Sequence, residues 1–247
     1  MIGRKKGCVF TVKTKTFGVY VPSYMRYDDK LRMYDHLEYC TYVVRASEAD
    51  KYKAAGIDHL WVVEDRLIDN IHKVHEYIIE NSPEDVICII DDDGKLEYRN
   101  IDTRDMTPEE GSMELERIAQ IISDLRLGYA CTDAVPSPYY YTQEFMFKGM
   151  CGGCKWINKE VFKAKIDPKC QYNFDLDLEL QELLYNRAII RPIYFIDVGG
   201  QDTNKGGSNT DKNMNKRLSG INYTKDKWGK YFDYNLKNNK AKINVVR

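Results

Sequence analysis

Two periodicities divide the first half of the chain. FGVYVPS (17–23), CTYVVRAS (40–47) and HLWVVED (59–65) are short runs rich in β-branched and aromatic residues, and each predicts a strand. After the second run, Ser47 is the predicted cap of a helix over EADKYKAA that Gly56 ends. After the third, Leu67, Ile71, Val74 and Ile78 recur at helical spacing and predict a core-facing helix. DVICII (85–90) is unbroken apolar sequence, the pattern of a central strand covered on both faces. Thr107, Pro108 and Glu110 form a capping box with proline at the first helical position. The helix they open carries Met113, Ile118, Ile121, Ile122 and Leu125 on its apolar face, with Gly128 as its expected stop.

From Tyr129 onward the pattern is aromatic and interrupted by proline and glycine, which predicts hairpins and loops beside the sheet up to about Phe162. A further helix is expected from about Asp175 to Arg187, followed by IIRPIYFIDV and a glycine-rich polar loop. Strands alternating with helices indicate an α/β fold, with a mixed, mostly parallel sheet flanked by helices. At 247 residues the chain fits a single domain, and it contains no internal repeat.

Composition adds three constraints. The apolar runs are too short to span a bilayer, and the N-terminus has no apolar segment of the signal-peptide kind, so the expected compartment is the cytoplasm. Seven scattered cysteines suit free thiols in a reducing compartment, and the lone C-x-x-C at Cys151 and Cys154 lacks the partners of a zinc site. The net charge of -1 conceals an asymmetry: residues 203–247 hold eleven Lys and Arg against three Asp and Glu. A basic tail on an acidic body suits a polyanionic partner, or simply a solvated face.

The chemistry is concentrated at IIDDDG, where Asp91, Asp92 and Asp93 follow the central strand. Adjacent carboxylates repel, by about 1 kcal/mol or more without a cation or donors. At the carboxyl end of a buried strand, where α/β sheets bind ligands, they form an Asp-x-Asp site for Mg or Mn and a substrate phosphate. A second acidic pair, Asp175 and Asp177 in YNFDLDLELQELL, opens a helix, where a carboxylate can cap or act as a general base. His72 and His75 read as surface histidines, and Tyr139, Tyr140 and Tyr141 as strand packing or as a platform for an extruded base.

In order along the chain, VYVPSYMR, YVVRASEADKYKAAG, IIDDDG, MCGGC and FDLDLELQELL resemble the elements of a GT-A fold glycosyltransferase. With GGQDTNKGG, the set is similar to the phage TET-associated glycosyltransferases, relatives of the enzyme that completes base J. The resemblance implies a GT-A (Rossmann-like) domain with a nucleotide-donor half over 1–100, an acceptor half over 101–202 and a basic loop and tail over 203–247. It implies a divalent metal held by Asp91 and Asp93, with Asp92 as neighbour or ribose contact and, in place of a late histidine, Asp197, Asp202 or no further ligand. Ser23, Arg26 and Arg45 would contact the nucleotide, together with Gly152, Gly153, Gly199, Gly200, Thr203 and Lys205. Asp175 would deprotonate the acceptor hydroxyl while Asp177 orients it. The chain has Phe174 where the family has a glutamate, which leaves the base open between Asp175 and Asp177.

The activity so implied is inverting transfer of a sugar from a nucleotide diphosphate, such as a UDP-sugar, to a 5-hydroxymethylpyrimidine in phage DNA, in the infected bacterial cytoplasm. Three other readings stand beside it: transfer to a glycan or protein, a sugar-1-phosphate nucleotidyltransferase, and a non-catalytic DNA-binding accessory. The oligomeric state is left open.

Overall fold

A computed structural model describes residues 10–12, 15–28, 32–99, 102–133, 143–199, 206, 214–237 and 240–245. The chain enters through a hairpin of β1 (Phe10–Val12) and β2 (Lys15–Pro22), then forms β3 (Thr41–Arg45), α1 (Ala49–Ala54) and β4 (Leu60–Val63). Next come α2 (Ile71–Asn81), β5 (Val86–Ile89), β6 (Gly94–Arg99), β7 (Thr103–Asp105) and α3 (Pro108–Asp124). The second half holds β8 (Tyr129–Asp133), β9 (Phe145–Met146), β10 (Cys151–Asn158), α4 (Phe174–Tyr185), β11 (Arg191–Pro192) and β12 (Phe195–Gly199). It closes with α5 (Met214–Trp228), β13 (Phe232–Asn235) and β14 (Lys240–Ile243).

The main sheet runs β4-β3-β2-β5-β10-β8. The first four strands are mutually parallel, and β10 is antiparallel to both its neighbours. Side chains alternate between two covered faces. Phe17, Val19, Val86, Cys88, Ile90 and Trp156 point toward α1 and α3, meeting Tyr52, Leu115, Ile118 and Ile122. Tyr20, Ile87, Ile89, Cys131 and Ile157 point the other way, toward α2 and α4, meeting Val74, Ile78 and Leu183. Covering on both sides explains the unbroken apolar run at 85–90. The result is the mixed α/β architecture with flanking helices expected from the sequence.

Several local expectations change. Ser47 does not cap α1: its hydroxyl and backbone N–H both go to the Asp65 carboxylate, and α1 starts after a 3-10 turn. The α2 stripe starts at Ile71, capped by Asn70, because Leu67 falls in a preceding 3-10 turn and is 43% exposed. The α3 capping box forms as expected, but Arg126 at φ 53, not Gly128, turns the chain after that helix. Met113 and Leu125 are solvent-exposed.

β10 lies within the main sheet between β5 and β8, not beside it, because CKWIN offers apolar residues to both faces. His75 is buried against Phe174, not a surface residue. The described part of the basic segment wraps onto the body of the protein. α5 and the β13–β14 hairpin pack Ile221, Phe232 and Tyr234 onto Leu176 and Leu180 of α4. Among the described residues no helix is long and apolar enough to cross a membrane.

Trp156 ties the α3 layer to the sheet, fully buried with its indole N–H donating to the Leu115 carbonyl at 3.0 Å. Trp156→Ala should lower the unfolding free energy by about 3–5 kcal/mol, measured as a lower urea midpoint at unchanged slope.

Candidate functional site

A cavity of about 480 Å³ opens at the carboxyl end of β5. Asp91, Asp93, Asp133, Asp175, Asp197 and Lys155 line it, with Gly152, Gly153 and Gly199 along one wall. Topology brings these acids together. β5 delivers the Asp91–Asp93 turn, and β6 leaves directly from it. β12 pairs antiparallel with β6, Asp197 opposite Leu96 and Gly199 opposite Gly94, which returns Asp197 to the triplet. α4 brings Asp175 from the opposite side.

The three consecutive aspartates have different surroundings. Asp92 is buried, accepts from the Ser23 hydroxyl, and takes one bond from Arg26 at 2.7 Å. Asp93 meets the same Arg26 nitrogen at 2.5 Å. Arg26 thus clamps two of the three carboxylates, and Ser23 is held in turn by Tyr52 at 2.7 Å. Burial raises Asp92 to about 6, against the pull of Arg26 and Ser23. Asp91 faces the cavity: burial raises it to about 7, Lys155 opposes the rise, and Asp197 and Asp93 add to it.

Asp91 and Asp197 meet over Gly153. The Gly153 N–H donates to Asp197 Oδ2 at 2.8 Å, and the Thr132 hydroxyl holds the other oxygen. A Cβ at Gly153 would stand 2.6 Å from Asp91 Oδ2 and closer still to Asp197 Oδ2. Glycine is therefore required here by the close approach of two carboxylates. Two oxygen ligands converging on an open cavity, with Asp93 beside them, suit a hard divalent cation.

Lys155 is 5% exposed and donates to the Gly153 carbonyl at 3.2 Å. Burial disfavours its charge, but Asp91, Asp175 and Asp197 outweigh burial and hold its pKa above the ordinary lysine value. Across the cavity, Asp175 accepts the Leu176 N–H at 2.9 Å in the first turn of α4, and burial raises its pKa against the influence of Lys155. Asp133 lies between two buried guanidiniums, Arg99 at 2.8 Å and Arg191.

The other residues expected at the site separate into groups. Asp177 is fully buried on the far side of α4, accepting from Lys227, from the Trp228 indole at 2.7 Å and from Gln181 at 2.8 Å. That carboxylate anchors α5 and does not face the cavity. Arg45 stacks over Tyr24 at 3.7 Å and donates to the carbonyls of Ile68 and Asp69, outside the cavity lining. Gly200, Thr203, Lys205, Asp202 and the tyrosines at 139–141 lie outside the described residues. Gly206, at φ 80, stands against the backbone of Tyr24 and Met25 in the Ser23–Arg26 loop. In the C-x-x-C pair, Cys154 faces Cys88 at 3.3 Å while Cys151 faces Cys131, on opposite sides of β10.

Sequence reasoning missed Lys155 and the Arg99–Asp133–Arg191 group. A lysine set inside the strand-like run CGGCKWIN was the available signal, since a charge in the middle of a buried strand needs partners.

No protein-family model matches the sequence, and no curated protein matches it. Solved structures do. Glucosyl-3-phosphoglycerate synthase from Mycobacterium tuberculosis, in complex with Mn2+, UDP-glucose and phosphoglyceric acid, aligns at TM-score 0.51 and 8% identity over 94% of this chain and 89% of that one. A further structure of that synthase aligns at TM-score 0.51 and 9% identity, over 98% and 95% of the two chains. Its complex with Mg2+ and UDP gives 0.50 and 9%, over 98% and 94%. At this identity the likeness is one of fold, and the fold is GT-A.

Asp177→Ala should lower stability by about 3 kcal/mol and expose the segment after residue 213 to limited proteolysis, because Lys227 and Trp228 lose their buried acceptor. Asp175→Asn should leave the unfolding free energy, measured by urea titration, within about 1 kcal/mol of the parent.

Proposed function

We propose that this chain is a metal-dependent glycosyltransferase that takes a sugar from a nucleotide-diphosphate donor, in keeping with a UDP-sugar. The observation that carries the reading is the convergence of Asp91 and Asp197 over Gly153, beside Asp93, at the carboxyl end of the central parallel strand. The GT-A fold supports it, since the synthase sharing that fold has been seen with Mn2+ and UDP-glucose.

Asp91, Asp93 and Asp197 would hold Mn2+ or Mg2+. The donor set fits: all are hard carboxylate oxygens, and positive charge offsets the burial and the neighbouring acids that together raise the Asp91 pKa. When bound, such a cation neutralises charge on the departing diphosphate. The chain's own groups do the rest. Ser23 and Arg26 order the turn that presents the acids and would face the nucleotide, with Gly206 standing against the backbone of the same loop. Gly152, Gly153 and Gly199 let the backbone approach the donor.

Asp175 faces the cavity and would take the proton from the acceptor hydroxyl, and its raised pKa suits a base that gives the proton up again. Asp177, bound to α5, would act on Asp175 only by fixing the helix. Direct displacement with inversion is the stereochemistry that the sequence resemblance implies for such a base.

For the acceptor, the finer reading is the hydroxyl of a 5-hydroxymethylpyrimidine in phage DNA, with the infected bacterial cytoplasm as its setting. It is supported by the order of the sequence motifs and by the excess of Lys and Arg after Thr203.

The test is a calorimetric titration with UDP and UDP-sugars, with and without Mn2+, followed by transfer assays on hydroxymethylated duplex. UDP uptake should need the cation. Asp91→Asn or Gly153→Ala should weaken it by ten-fold or more, and Asp175→Asn should lower kcat by about 10²–10⁴ with donor affinity retained. Metal-independent UDP binding, or full transfer by Asp175→Asn, would overturn the reading. Transfer to free sugars or protein in preference to hydroxymethylated DNA would overturn the acceptor alone.

A further inference from the structure

On the face of β10 that meets α4, a second group of ligand-type side chains lies apart from the acidic cluster. Cys131 of β8, Cys151 of β10 and Glu179 of α4 are all buried, and one ligand atom of each falls within 4.8 Å of the other two. Cys151 also lines the large cavity, so the group has a way in. Glu179 Oε2 accepts the Cys151 backbone N–H at 3.1 Å, and Cys151 Sγ reaches the Tyr129 phenol at 3.5 Å. The second carboxylate oxygen, Oε1, is buried with no hydrogen-bond partner. Leaving a buried carboxylate oxygen without a partner is unfavourable, and two thiols with one orphaned oxygen make the donor set of a borderline-soft cation.

We propose that Cys131, Cys151 and Glu179 form a Zn2+ site distinct from the Mn2+ or Mg2+ site at the aspartates. Ligand atoms around a tetrahedral zinc stand roughly 3.5–3.8 Å apart, so a trio lying within 4.8 Å needs to close by at most about 1 Å. Two thiolates and a carboxylate around a divalent ion leave one negative charge. Arg191, whose Nε is buried without a partner, and Lys155 are the nearby cations that offset it. Both thiol protons, and the proton that burial favours on Glu179, leave to solvent as the metal bonds form, with no change of oxidation state.

The bound ion would add a shared set of bonds to three elements already linked by the β8–β10 pairing and the Glu179–Cys151 hydrogen bond: the end of β8 beside Asp133, the Gly152–Gly153 wall, and α4 one turn beyond Asp175. It would fix the helix carrying the proposed base against the wall carrying the proposed metal ligands.

The full-length chain, purified with a phosphine reductant and no chelator, is titrated with Co2+. The expected result is a near-ultraviolet sulfur-to-cobalt charge-transfer band saturating at about one equivalent and displaced by Zn2+. Cys131→Ser and Cys151→Ser should lose the band, and Glu179→Gln should weaken Co2+ binding by about ten-fold or more. Asp91→Asn should keep it, which separates this site from failure of the aspartate site.

Because a serine variant can fail to fold, the unaltered chain supplies an independent readout. One equivalent of Zn2+ should protect Cys151 from iodoacetamide, with the modified position found by peptide mass analysis. Absence of the charge-transfer band, alkylation of Cys151 unaffected by Zn2+, or a Cys131–Cys151 disulfide in the protein as isolated would each overturn the proposal.

Discussion

The carboxylates at the end of β5 are the constraint to which the surrounding structure answers. Asp91, Asp93, Asp133, Asp175 and Asp197 share one cavity, and burial alone would drive such groups to take up protons. The chain supplies cations individually placed: Arg26 for Asp92 and Asp93, Arg99 and Arg191 for Asp133, and Lys155 at the centre. Asp91 and Asp197 are the pair left facing each other over a residue with no side chain. Most of the acids are neutralised internally, and the residual negative charge is focused at one point.

The arrangement of elements separates tasks that look alike in the sequence. Asp175 and Asp177 lie two residues apart at the start of α4, yet a helix turns about 200° over that spacing. One side chain faces the cavity and the other faces Lys227 and Trp228 of α5. The basic C-terminal segment spends part of its charge in the same way, on Asp167, Asp177 and Asp233 within the protein. A charge count made on the sequence alone therefore overstates how much of that basicity is presented to a partner.

Much of the framework was legible from local signals. The parallel strands at 17–23, 40–47, 59–65 and 85–90 and the α3 capping box follow from periodicity and cap chemistry, which act within a few residues. What was not legible depends on contacts distant in sequence. Ser47 reads as a cap until Asp65, eighteen positions away, takes its hydroxyl. Lys155 gains a purpose only when β10 enters beside β5, and the pairing of β12 with β6 is what selects Asp197. The acid triplet announced the site; its counter-charges and its further ligand came from the second half of the chain.

The place of β10 between β5 and β8 bears on how the protein is made. β8 leaves the ribosome before β10 and has no position in the sheet until the later strand slots in beside it. Until then β5 presents an unpaired, fully apolar edge, and the aspartates at its tip lack Lys155, Gly153 and Asp197. The cavity is thus incomplete until β10 and β12 are in place. Such late, long-range strand insertion favours slow folding and leaves a nascent chain open to aggregation through that edge.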